Sequence, residues 1–170
     1  MPTQAAQLVM LEARLRLLED EREILRTLHT YGHAIDYGYE DAFVDCWVAD
    51  GVLIWPGTGP IKGHASLRAV FRAHSHAPAA WHKHFMVEPF IRMDGARATA
   101  DCMFARLDPY AEGPAIKSFG RYRDALIRCD DGRWRFTERL AEVEARRPGT
   151  TNTVSRDVVE AVEAGAKPAG

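Results

Sequence analysis

Leucine and isoleucine recur at three- and four-residue steps across residues 6–35, as Leu8, Leu11, Leu15, Leu18, Ile24, Leu25 and Leu28, set among Glu and Arg and unbroken by proline. That period is the apolar stripe of one long helix. In its first half, to about Glu21, the stripe is as narrow as a coiled-coil seam. A seam of that width suits docking on a neighbouring subunit, although packing on the chain's own sheet is the commoner use of such a helix. Residues 41–48 then form a second, short helix closed by the turn signal Asp50-Gly51. Residues 52–55 are a short strand ended by Pro56-Gly57-Thr58-Gly59-Pro60, a loop that cannot continue a ladder. Lys62-Gly63-His64 leads into a third helix over about residues 65–74, and residues 77–80 return to loop.

The pattern then switches to sheet. Residues 84–93, 98–107, 116–129 and 133–143 read as four strands, separated by Asp94-Gly95, by residues 109–114 and by Asp130-Asp131-Gly132. The Asp-Gly pairs are hairpin signals, so these strands are expected to be antiparallel neighbours in sequence order. Helices first and strands later is the α+β class: N-terminal helices on a curved, mainly antiparallel sheet that encloses one pocket. One domain over residues 1–147 accounts for the periodic part of the chain. Residues 148–170, rich in Thr, Gly, Ala and Pro, read as a flexible C-terminal tail in which residues 154–164 form a weak helix.

Composition narrows the function more than the fold. A chain of 170 residues with 46% hydrophobic and 27% charged side chains and a formal charge of −2 is an ordinary globular protein with no electrostatic footprint for nucleic acid or a membrane. Cys46, Cys102 and Cys129 are three cysteines without a C-x-x-C spacing, which argues against a disulfide framework and a thiolate zinc site and for a reducing, cytoplasmic setting. No apolar run reaches the ~20 residues of a transmembrane helix, and no signal peptide is legible.

The chemistry concentrates in two stretches. Residues 30–38, Thr-Tyr-Gly-His-Ala-Ile-Asp-Tyr-Gly, place Tyr31 and Asp36 at the end of the long helix, followed by the aromatics Phe43, Trp47 and Trp55. Residues 81–85, Trp-His-Lys-His-Phe, place His84 at the start of a strand. A carboxylate on a helix end and an imidazole on a sheet, meeting across one cavity, make a general base, because the carboxylate fixes the tautomer and raises the basicity of the other ring nitrogen. Tyr31 and Asp36 are five residues apart, roughly 140° around an ideal helix, so they converge only where the helix bends, and Gly32 and Gly38 permit that. Phe104 and Arg106 on one strand and Tyr122 on the next offer pocket wall and a cation for a substrate anion, with pairing to a rim carboxylate as the alternative role for Arg106. His29, His33 and Asp36 at i, i+4 and i+7 would share a helical face that could hold a metal, but no further ligand follows at a defined spacing and no metal is expected. His64, His74, His76 and His82 fall in or beside loops and read as solvated, with His82 on the face of His84 if that strand begins early.

These residues together resemble the SnoaL-like branch of the nuclear transport factor 2-like superfamily. The resemblance rests on Tyr31-x4-Asp36, on Phe43, Trp47 and Asp50-Gly51, on Lys62-Gly63, on His84, and on Asp131-Gly132-Arg133-Trp134-Arg135-Phe136 entering the last strand, and it spans about residues 11–147. It implies a cone-shaped α+β fold. Within the branch the chain is similar to bile-acid 7α-dehydratase, scytalone dehydratase and hexachlorocyclohexane dehydrochlorinase, which use an Asp-His base, often with a tyrosine acid, and no cofactor. By that resemblance Asp36 and His84 are the pair and Tyr31 the tyrosine; the second histidine of scytalone dehydratase has no counterpart. The implied activity is a cofactor-independent lyase acting on a hydrophobic cyclic or aromatic small molecule. Polyketide cyclases, ketone isomerases and non-catalytic binding domains share the fold. The resemblance also implies a homo-oligomer, a trimer or a dimer.

Overall fold

The computed structural model describes residues 2–152 and 154–164. The first helix, α1, runs Gln4–Tyr37. Thr3 caps it, its hydroxyl accepting the Ala6 N–H at 3.3 Å, and Gly38 ends it in the left-handed conformation with its N–H on the Ala34 carbonyl at 2.9 Å. Ile24, Leu28, Tyr31 and Ile35 form its core face, and the part before Asp20 is exposed on all sides.

Six strands form one mixed sheet in the order β2-β1-β6-β5-β4-β3. β3 (Lys83–Asp94), β4 (Arg97–Tyr110), β5 (Gly113–Arg128) and β6 (Trp134–Arg146) are successive antiparallel neighbours, as the Asp-Gly turns foretold. β1 (Trp47–Trp55) lies parallel to β6, and β2 (Gly59–Lys62) closes the other edge antiparallel to β1. The sheet is curved and not closed. Its inner face carries the core with α1, α2 (Glu40–Asp45) and α3 (Gly63–Ala73). Its outer face leaves Phe85, Val87, Met103 and Phe119 about half exposed.

Three expectations need correction. The second helix ends at Asp45, and Trp47 and Val48 belong to β1; the β-branched and aromatic run wins over the helical reading, and Asp50-Gly51 sits in an irregular stretch of β1 between its pairings at Trp47 and Val52. Pro60 lies in a strand because β2 is an edge, where a missing donor costs nothing. The described part of the expected free tail is docked: Val154 and Val159 are buried, Arg156 donates to the Thr58 carbonyl at 2.8 Å, and α4 (Arg156–Glu163) packs on α3. Among the described residues no helix is long and apolar enough to cross a membrane.

Candidate active site

Asp36 occupies the last turn of α1, and His84 the second position of β3, against which α1 packs. Gly32, one turn earlier on the same face, leaves room for the Met86 side chain of β3: a Cβ there would stand 2.5 Å from its methyl. The Asp36 carboxylate receives both donors of one residue. His84 Nδ1 lies 2.7 Å from Oδ1, and the His84 backbone N–H donates to Oδ2 at 2.9 Å. A carboxylate only accepts, so this geometry puts the ring proton on Nδ1 and leaves Nε2 as a base in the cavity that His84 lines.

The electrostatics keep that base neutral. Burial lowers the His84 pKa below its ordinary value and outweighs the Asp36 contacts that raise it. For Asp36 burial raises the pKa, but the hydrogen bonds and charge of His84, with His82 behind it, more than offset this and hold the carboxyl below its ordinary value.

The cavity encloses about 90 Å³, on the scale of one small ring, and opens to solvent. Trp55, Phe104, Tyr122, Val143 and Val154 supply apolar wall, with Phe104 and Tyr122 stacked at 4.6 Å between centroids. Of the residues singled out in the sequence, His84, Trp55, Phe104, Arg106 and Tyr122 border it. Tyr31, Phe43 and Trp47 do not; they lie in the core behind the wall. Tyr31 is 1% exposed, its ring packs on Phe43, Trp47, Tyr122 and Phe136, and its hydroxyl accepts from Trp55 Nε1 at 3.0 Å. Burial pushes the Tyr31 phenol up to about 12, and that of Tyr122 well above its ordinary value. Beneath both rings Arg139 makes a fully buried bidentate pair with Asp124, two contacts of 2.7 Å.

The histidines read as solvated are not. His74 and His82 are buried, and their rings lie 5.0 Å apart; His82 is 5.3 Å from His84, with Nε2 3.6 Å from Asp36 Oδ1. Neither ring nitrogen of His82 has a hydrogen-bond partner among the described residues. Burial is the main cause that lowers His74 well below its ordinary value and His82 to about 4, so both are neutral at neutral pH. The proposed metal face of α1 does not form, because His29 and His33 are exposed while Asp36 points inward. Among the described residues the set that could hold a divalent ion is instead Asp36, His82 and His84, whose ligand atoms lie within 4.8 Å of one another. Sequence reasoning also missed His74, Lys117, Ser118 and Arg146 on the cavity wall; alternation along β5 and β6 could have placed the last two, since they pair across the sheet.

A family model described as the SnoaL-like domain matches residues 16–140. No curated protein matches the chain. Among solved structures, an NTF2-like protein with a cystatin-like fold from Novosphingobium aromaticivorans is 30% identical with a TM-score of 0.72, covering 85% of this chain and 92% of its own. Rv3472, a function-unknown protein of Mycobacterium tuberculosis, is 25% identical with a TM-score of 0.67, covering 84% and 91%. A protein of Novosphingobium aromaticivorans whose name proposes a scytalone dehydratase is 14% identical with a TM-score of 0.67, covering 82% and 94%, a likeness of fold alone.

Proposed function

Because the chain belongs to the SnoaL-like domain family, a scaffold shared by dehydratases and cyclases, we propose that it is a cofactor-independent lyase of the dehydratase or eliminase type acting on a hydrophobic cyclic or aromatic small molecule. The observation that carries this reading is the Asp36-held His84, neutral and largely buried, with Nε2 available to a mostly apolar cavity. Nε2 takes a proton from carbon, the C–H electron pair becomes the new C=C bond, and the C–O bond breaks with its pair on oxygen. A proton delivered to that oxygen releases water. Tyr122 is the donor we assign, because its side chain borders the cavity while Tyr31 stands behind Trp55. A positioned base contributes on the order of 10²–10⁴-fold.

The test is a screen of β-hydroxy carbonyl compounds on a single ring for water loss, run in D₂O. A lyase gives a conjugated product with a new absorbance. An isomerase or aldol-type cyclase, using the same base, would return a product of unchanged composition or one that incorporates deuterium without losing water. A ligand recovered unchanged, with binding insensitive to His84→Gln, would replace the enzyme by a binding domain.

A further inference from the structure

The sheet register sets four polar residues in one row across four strands. His84 on β3 pairs with Arg106 on β4, Arg106 with Ser118 on β5, and Ser118 with Arg146 on β6. All four border the cavity, so the row runs across its inner face from the base to the far wall. An irregularity of register between Arg106 and Leu107 leaves Lys117 outside the ladder, and its side chain joins the same wall. Three cationic residues thus line the cavity, and among the described residues that line it none is an Asp or a Glu. Asp108 binds Arg106 at 2.7 and 3.2 Å and Lys117 at 3.5 Å without bordering the cavity itself. Among the described residues Asp108 is the carboxylate paired with Arg106 and Lys117, which leaves the far wall positive. The ammonium of Lys117 is correspondingly destabilised, its pKa lowered first by burial and then by Arg106.

We propose that Arg106, Lys117 and Arg146, with the Ser118 hydroxyl, form a subsite for a carboxylate on the substrate, which is therefore an apolar ring bearing an acid group at the end opposite the C–H that His84 attacks. This rests on the lyase reading only for the identity of the attacked bond. Strands stand about 4.8 Å apart, so Arg106, Ser118 and Arg146 lie one, two and three spacings from His84, and an anion held between the two arginines sits about 10 Å from the base, a span that one ring with a short acid side arm bridges. A guanidinium meets a carboxylate in a bidentate fork, and Arg146 is the residue placed to supply it, because the Nε–Nη2 edge of Arg106 is held by Asp108.

The probe pair is trans-cinnamate and cinnamamide, equal in shape and differing in charge, with binding measured by calorimetry at low salt. Cinnamate should bind at least tenfold tighter than the amide to the wild-type protein, and the difference should collapse in Lys117→Met/Arg146→Gln, whose folding is checked by circular dichroism. His84→Gln should keep the preference for cinnamate, which separates this subsite from the base. Equal affinity for the two probes, no binding of cinnamate, or a preference that survives in the double variant would overturn the subsite whatever the outcome of the turnover screen.

A second inference has an independent basis. Leu8, Leu11, Leu15 and Leu18 follow a 3-4 heptad spacing that Arg22 continues, on the side of α1 opposite the buried Asp20, Ile24, Thr27 and Tyr31, while Leu25, next in the period, packs against the core. The leucines up to Leu18 are more than half exposed. We infer that this seam pairs in parallel with that of a second copy. Parallel pairing sets Arg14 of one copy against Glu19 of the other and Glu21 against Arg26, all attractive; antiparallel pairing with Leu11 opposite Leu15 sets Glu12 against Glu12 and Arg14 against Arg14. Arg14→Glu should at least halve the mass seen by sedimentation equilibrium, and Arg14→Glu/Glu19→Arg should restore it. An unchanged mass in Leu11→Glu/Leu15→Glu, or no rescue by the charge swap, would overturn the pairing.

Discussion

His84 gives Asp36 both its ring N–H and its backbone N–H, so a single residue satisfies both carboxylate oxygens, at 2.7 and 2.9 Å. The imidazole is thereby fixed in angle as well as in tautomer, and its free nitrogen has one direction in which to act. That arrangement dictates how activity and stability should respond to pH, to substitution and to chelators.

The base is active when neutral, and burial holds its pKa below the ordinary value of 6.5. Activity should therefore rise from the acid side, with its midpoint below 6.5, and level off through neutral pH. Asp36→Asn removes the contacts that raise the His84 pKa, so the acid limb should move to still lower pH while the plateau drops. A pH–rate profile, with ¹⁵N chemical shifts of the His84 ring, checks both.

Stability should fall on acidification. His74 and His82 are buried and His84 largely so, all with lowered pKa, so below about 6.5 the unfolded chain binds protons that the folded chain refuses. The stability lost over this window should include a portion between 6.5 and about 4 that belongs to His82. Asp36 adds a further loss as pH falls through its own lowered pKa. Thermal melts across pH should show that decline, and His82→Phe should flatten it. A transition temperature constant from pH 7 to 4 would contradict the burial of neutral histidines.

The two tyrosines should separate. Tyr122→Phe removes the hydroxyl assigned as the proton donor and should cost roughly 10²-fold in turnover, in the range of a positioned acid. Tyr31→Phe removes only the acceptor of Trp55 Nε1 and should cost about 1 kcal/mol of stability with turnover within a few-fold. Equal kinetic losses in both would show that Tyr31 reaches the chemistry.

Dialysis against EDTA should leave turnover unchanged, because the proposed step uses His84 Nε2 and no ion. Loss of activity restored by a divalent cation would instead assign Asp36, His82 and His84 to a metal centre.

Gly120 faces the backbone of β6 so closely that a Cβ would collide with the Glu142 carbonyl oxygen. Gly120→Ala should destabilise by several kcal/mol, since backbone rather than a flexible side chain must yield. Chemical denaturation measures it, and a change under 1 kcal/mol would contradict the close packing of β5 on β6.

The local signals were strong where periodicity and turns act alone. The long helix, the Asp-Gly hairpins and the four antiparallel strands were legible, as was the pairing of Asp36 with His84 once helix end and strand start were placed. What was not legible depends on the third dimension. His82 precedes the strand by one residue, and nothing local says that α1 and α3 bury it. Tyr31 shares α1 with Asp36, yet its side chain enters the core and not the cavity, as the five-residue offset required in the absence of a bend. Lys117 reaches the wall through an irregularity of register, which no alternation rule anticipates. Trp47 was assigned to a helix because aromatic runs fit either period when short.

The most direct test is the turnover of a confirmed dehydration substrate by His84→Gln and Asp36→Asn at matched folding, measured as kcat and as substrate affinity. A fall in kcat of at least 10²-fold in His84→Gln, a smaller fall in Asp36→Asn, and near-unchanged affinity in both is the predicted result. Turnover of His84→Gln within a few-fold of the wild type would remove the imidazole from the mechanism and with it the lyase account.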